Sequence, residues 1–183
     1  MNFKKKLQFI KFFFISDGFK RGEYLKKKDI LRHTGENVFF QPRKLPADPK
    51  LIKINNNVAI ASGVTFICHD VIHHVFNNIE NKFDFNMGCI EIGENVFIGA
   101  NSIIMPNVKI GNNVIIGAGS LINKNIESNC IVAGVPARKI GDFDKFYNRR
   151  LIESESRRGK SRNEIIELIW KEFDRRNGEY NNA

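Results

Sequence analysis

Cysteine is scarce in this sequence, and the three present, Cys68, Cys89 and Cys130, stand singly and in no paired motif. An odd, scattered set argues against a disulfide framework and for a reducing compartment. Long apolar runs are missing as well. The best candidate, Leu7 to Ile15, is broken by Lys11 and is too short to span a bilayer. A basic cluster precedes it, as in a signal peptide, but no small-residue cleavage site follows, so export is not expected. Basic residues are nearly absent from the middle. Between Ile54 and Pro136 only Lys82, Lys109 and Lys124 occur, although the chain carries a net charge of +9. The excess therefore sits in the two ends. It forms no recognition motif and no stripe interleaved with aromatics, which turns the reading away from nucleic acid. Solvated ends explain it, or anionic partners: nucleotide phosphates, an acidic glycan or an anionic membrane surface.

What the chain does have is a period. From Ile92 it reads in sixes as IGENVF, IGANSI, IMPNVK, IGNNVI, IGAGSL and INKNIE. Isoleucine opens every block, at 92, 98, 104, 110, 116 and 122, and the fourth place is Asn95, Asn101, Asn107, Asn113, Gly119 or Asn125. The β-branched residue suits a short extended segment facing inward. Asn and Gly tolerate the left-handed backbone that a tight corner demands. Six residues make one flat face and one corner, three faces close a triangular coil, and residues eighteen apart stack. This is the mark of a parallel β-helix. An amphipathic sheet would alternate with period two and gives no reason for the regular Asn and Gly.

The same register runs upstream through INNNVA, IASGVT and FICHDV, with Asn57 and Gly63 at the corners and His69 at the third. Histidine is also tolerated in left-handed geometry. The phase then fails, and 71–89 is expected to be a loop leaving the coil. Residues 1–33 should be a basic helical segment, in which Phe3, Leu7, Ile10 and Phe14 share one face while Lys4 and Lys11 lie elsewhere. That face is expected to pack on the body or a neighbouring subunit; contact with a membrane surface is its alternative use. The coil is expected over 34–141, with Gly35 to Val38 a degenerate first layer and Gln41 to Lys50, holding Pro42, Pro46 and Pro49, irregular. The hexad pattern ends after Glu127. Residues 142–183 read as a helical extension, with Ser161 and Glu164 as a capping box and Gly178 as a stop, covering the coil's open end or a neighbouring subunit.

These motifs resemble the hexapeptide-repeat acyltransferases, over about Gly35 to Gly141. The resemblance implies a left-handed coil, against the usual crossover rule, and a homotrimer with sites between subunits. The segment VTFICHDVIHHVF resembles the one carrying the general-base histidine of sugar and polysaccharide O-acetyltransferases, which assigns that role to His69. An alcohol does not attack a thioester unaided at neutral pH, and an imidazole can take its proton. Asp70 would orient the ring or hold the acceptor. His73 and His74 either contact the acceptor or are solvated. Cys68 is a poor nucleophile candidate, since adjacent residues point apart.

The resemblance implies acetyl-CoA as co-substrate along small residues, Gly99, Ala100, Ser102, Gly117 and Ala118, with Phe97 standing where several relatives have Trp. Ala133, Arg138 and Lys139 match the family's ending, where the nucleotide end of CoA lies. No metal is expected: related carbonic anhydrases need histidines where this chain has Ala100 and Met105. The expected activity is O-acetylation of a sugar or surface-polysaccharide precursor, in the cytoplasm or at the inner face of the membrane. An acyl transfer to an amino sugar, nucleotide sugar or small xenobiotic is the first alternative. A non-catalytic scaffold is the second.

Overall fold

The structure is a computed structural model that describes residues 3–180, with side chains over 7–178. Phe3, of the expected helical face, and Lys4, expected off it, lie outside the described side chains. The chain winds as a left-handed parallel β-helix of three faces. The first face stacks His33–Thr34, Ile52–Ile54, Ile90–Ile92 and Val108–Ile110. The second stacks Val38–Phe40, Val58–Ile60, Val96–Ile98, Val114–Ile116 and Cys130–Gly134, the third Thr65–Phe66, Ile103–Ile104 and Leu121–Ile122. These faces stack in parallel, and after them Ala137–Asp142 folds back antiparallel on Cys130–Gly134.

The period sets the core. The opening isoleucines at 92, 98, 104, 110, 116 and 122 are each 0% exposed, and 92 stacks on 110, 98 on 116 and 104 on 122. Each such burial is worth about 1.5–3 kcal/mol, offset largely by the entropy of ordering the coil. The corners follow the sequence too: Asn57, Asn95, Asn101, Asn107 and Asn113 take φ of 55°, 56°, 58°, 61° and 54°, and Gly63 and Gly119 take 73° and 69°. At the corner between the first and second faces the asparagines also bond one another. The Nδ2 of Asn37 donates to Asn57 Oδ1 (2.8 Å), Asn57 to Asn95 (2.7 Å), Asn95 to Asn113 (2.9 Å) and Asn113 to Asn129 (2.8 Å).

The sixth block departs from its expected register. Val96 to Val114 is a step of 18, but Val114 pairs with Cys130, a step of 130 − 114 = 16, and Ile126 bridges to Ile110. The last coil is two residues short between Ile122 and Ile126, so Asn125 takes no positive φ at the third-to-first corner, and Asn129 (φ 62°) turns the next corner above Asn113. Asn125 instead accepts from the Lys109 N–H through its side chain (2.8 Å). The coil also continues past Glu127 by one more parallel strand.

The N-terminal helices are Phe3–Phe14 and Gly18–Lys27. The first is anchored by Phe12, which is 0% exposed against Phe40 and Tyr24. The expected face, Leu7, Ile10 and Phe14, is left exposed. The buried Arg21 guanidinium ties this region down: its Nε donates to Phe40 O (2.7 Å), Nη2 to Gln41 O (3.0 Å) and Nη1 to Ile15 O. From Asp144 onward a separate compact unit follows. Its helices are Phe143–Arg157 and Arg162–Tyr180. The second starts at the Ser161–Glu164 capping box, each residue's N–H donating to the other's side chain (2.7 and 3.3 Å). It runs through Gly178 rather than stopping there, since an interior glycine costs a helix only about 1 kcal/mol.

Candidate active site

The chain leaves the third face just after Phe66. Cys68 to Asp70 then pairs antiparallel with Asn86 to Gly88: His69 bridges to Met87, Gly88 N–H donates to Cys68 O (2.7 Å) and Asp70 N–H to Asn86 O (3.4 Å). Between the arms lies one short helix, His73–Phe76. His69 thus stands at the base of an extruded hairpin. It is not among the residues with positive φ. The expected left-handed corner is replaced by the hairpin stem, which changes the chain's direction without it.

Below His69 the first coil has no third-face strand, and the irregular stretch 41–50 fills that place. Near its end stands Asp48, just before the single turn Pro49–Leu51. The Asp48 carboxylate is hydrogen-bonded to His69 Nδ1, with both side chains partly buried. An ionised carboxylate can only accept, so this bond places a proton on Nδ1, and in the neutral ring Nε2 is the nitrogen that keeps its lone pair. Phe85, on the returning arm, packs against the imidazole with ring centroids 5.0 Å apart. These contacts hold the imidazole in one orientation.

Asp70 makes other bonds. Its oxygens accept from Ile72 N–H (2.9 Å) and Asn86 Nδ2 (3.2 Å). Those donors, the Ile72 N–H first, hold its carboxyl below the usual range, so it is ionised at neutral pH. It lines a hollow of about 280 Å³ with Ile72, His73, Phe76, Phe83, Asp84 and Asn86. The His73 ring lies tilted against His74 and meets Phe85 edge-on, with its Nδ1 buried and unpartnered; His74 is exposed. Burial pushes the Cys68 thiol up to about 11, helped by Asp48 and Cys89, so it stays protonated and is no nucleophile at neutral pH.

The residues expected to face acetyl-CoA lie elsewhere. Phe97 points outward from the second face, 44% exposed, in register with Ala59 and Ile115. Ala100 and Ala118 lie at the corner between second and third faces, Ala118 exposed beside Gly119. A Cβ at Gly99 would meet Ala118 N at 2.5 Å, and one at Gly117 would meet the Ala133 Cβ at 2.8 Å. These two glycines are therefore demanded by the stacking of coils. At Gly119, by contrast, a Cβ would meet nothing within 4 Å, so that backbone is open to an approaching ligand. Ser102 is 0% exposed, its hydroxyl donating to Gly99 O (2.8 Å) and reaching Gly117 O (3.1 Å) inside the coil. A hydroxyl so satisfied shapes the corner from within. Arg138 and Lys139 are exposed on the final antiparallel strand, Lys139 paired with Asp142 at 2.7 Å. Half-buried Ala133 lies on the strand before it.

One chain thus brings together Asp48, His69, Asp70 and the hairpin, but not Ala100, Gly117 and Ala118. Six residues part the corner at Gly63 from His69, on the order of 20 Å of extended chain. Asp48 is the residue that the sequence reading missed.

Comparison with known proteins gives a consistent picture. The family model of the bacterial transferase hexapeptide (six repeats) matches residues 89–124. Protein CapG of Staphylococcus aureus is 43% identical over 134 residues, 69% of this chain and 77% of that protein. Galactoside O-acetyltransferase of Escherichia coli (strain K12) is 38% identical over 119 residues, 63% of this chain and 57% of that protein. Among solved structures, a galactoside acetyltransferase in complex with coenzyme A superposes with a TM-score of 0.57 at 28% identity. That match covers 79% of this chain and 82% of the other.

Proposed function

Because this chain belongs to the hexapeptide-repeat acyltransferases, we propose that it transfers the acetyl group of acetyl-CoA to a hydroxyl of a sugar. The observation that carries the reading is the Asp48–His69 pair at the foot of the hairpin. His69 Nε2 takes the proton of the acceptor hydroxyl as its oxygen adds to the thioester carbonyl. Asp48 stabilises the resulting imidazolium. As the carbon–sulfur bond breaks, the imidazolium returns its proton to the departing thiolate, and no acyl-enzyme forms. Such general-base help is worth about 10²–10⁴-fold. The galactoside acetyltransferases among the similar proteins support a sugar acceptor, and the coenzyme A in one of them supports the donor.

The hairpin hollow offers what a sugar ring needs. Asp70, Asp84 and Asn86 provide polar atoms for hydroxyls, and Phe76 and Phe83 provide apolar faces. A surface-polysaccharide precursor is the proposed acceptor class. Acetyl-CoA would lie along Ala118 and Gly119, beside Phe97, its nucleotide end near Arg138 and Lys139. Since His69 and that ledge stand at different corners, a complete site needs the His69 corner of one copy against the ledge of another. A homotrimer arranged so has three sites. Among the described residues no helix is long and apolar enough to cross a membrane, and the cytoplasm is the proposed compartment.

Release of CoA thiol, measured over a panel of sugars and amines, tests the reading. His69→Ala should lose about 10²–10⁴-fold in kcat while equilibrium binding of CoA is unchanged. Turnover that survives the substitution overturns the mechanism. Failure of the intact protein to bind CoA overturns the function.

A further inference from the structure

We infer that the exposed face of the first helix docks on an anionic membrane surface. The helix is held by the far side of its wheel, where Phe12 is fully buried, so the opposite face is presented and not collapsed. On and beside it Phe9, Ile10, Phe13 and Phe14 are 38%, 55%, 46% and 75% exposed, and Leu45 of the irregular stretch completes a shallow apolar trough with them. Arg43 and Lys44 flank this trough. The Arg43 guanidinium donates to Phe13 O (3.1 Å) and lies over the Phe13 ring, its central carbon 5.8 Å from the centroid.

Charge chooses the occupant. The first acid in the chain is Asp17, and before it stand Lys4, Lys5, Lys6 and Lys11. An apolar trough flanked by Arg43 and Lys44, on a segment whose sequence is basic up to Asp17, is the pattern of a helix lying in the headgroup region, with its aromatics sunk into the acyl boundary and its cations on anionic lipid. A second copy of the chain fits worse, since matching such faces sets cation against cation. This contact does not depend on the acetyl-transfer chemistry.

Flotation of the full chain with vesicles tests it, using phosphatidylcholine alone or mixed with an equal share of phosphatidylglycerol. The protein should float with the anionic vesicles only, and added salt should release it. Arg43→Glu with Lys44→Glu should lower partitioning at least about tenfold. Phe13→Ser with Phe14→Ser should abolish it, with the helical circular-dichroism signal and melting temperature kept. Absence of flotation, equal flotation with both vesicles, or flotation indifferent to both variants overturns the inference. So does a change of oligomeric state in the phenylalanine variant by analytical ultracentrifugation, which would make the face a subunit interface.

Discussion

At the corner between the first and second faces, one asparagine follows another from layer to layer, each amide bonded to the next. At the corner between the third and first faces no such run exists: Asp48 in one layer, His69 in the next, left-handed Asn107 above. The backbone task is alike at both. Where the residues repeat, side chains satisfy one another and nothing is left over for chemistry. Where the repeat breaks, unlike groups meet, and a carboxylate can hold an imidazole. In this fold regularity is the stable default, and a site is made by interrupting it.

The difference can be broken from either side. Asp48→Asn should have the largest effect on rate. An amide can donate to Nδ1 and so move the ring proton to Nε2, leaving no base; kcat should fall roughly 10²–10⁴-fold, with unchanged CoA affinity and melting. Asn95→Ala should do the reverse. It removes both ladder bonds of Asn95 and forces alanine to a φ of 56°. That should cost about 2–4 kcal/mol in denaturant unfolding, with kcat per folded molecule kept. Asn95→Gly separates the two contributions: glycine accepts the backbone, so only the lost hydrogen bonds remain, about 1–2 kcal/mol.

The smallest effect belongs to Asp70→Asn. It should raise KM for the acceptor with little change in kcat, if Asp70 serves the acceptor and Asp48 the base. It also has a pH signature. The Asp70 carboxyl is held below its ordinary range in the folded chain, so its contribution is present at neutral pH. That contribution is lost as pH falls below about 4, the unfolded carboxylate value. Hydrogen exchange at the hairpin stem, compared between wild type and variant, should show a difference at pH 7 that vanishes in acid.

The coil was legible because its cause is local. An isoleucine every sixth place and an asparagine or glycine three later state both the inward face and the corner, and Ile92 to Ile122 fold as written. His69 was legible as the place where that statement stops. Asp48 was not, since it lies 21 residues away in a stretch without period. A signal did exist: Val38 pairs with Val58, a step of 20 that sets 48–49 beneath 69. The short last coil was hidden by coincidence, because INKNIE keeps an isoleucine and an asparagine in the expected places while the register slips by two. The first helix shows a different limit. A helical wheel finds an amphipathic face, but only the packed chain reveals that Phe12 is buried and that Phe14 is not.

The asparagine ladder has one more consequence, and it concerns time. Side-chain amides hydrolyse to carboxylates as a protein ages, which is why asparagine is counted among the thermolabile residues. At Asn95 that conversion would remove the donor to Asn113 and set two acceptors face to face. Yet an amide pinned by a bond at each end is not free to swing toward its own backbone and react. The ladder that lets the chain turn is in this sense also its shelf life: kept whole it protects its inner rungs, Asn57, Asn95 and Asn113, and the first rung lost exposes its neighbours.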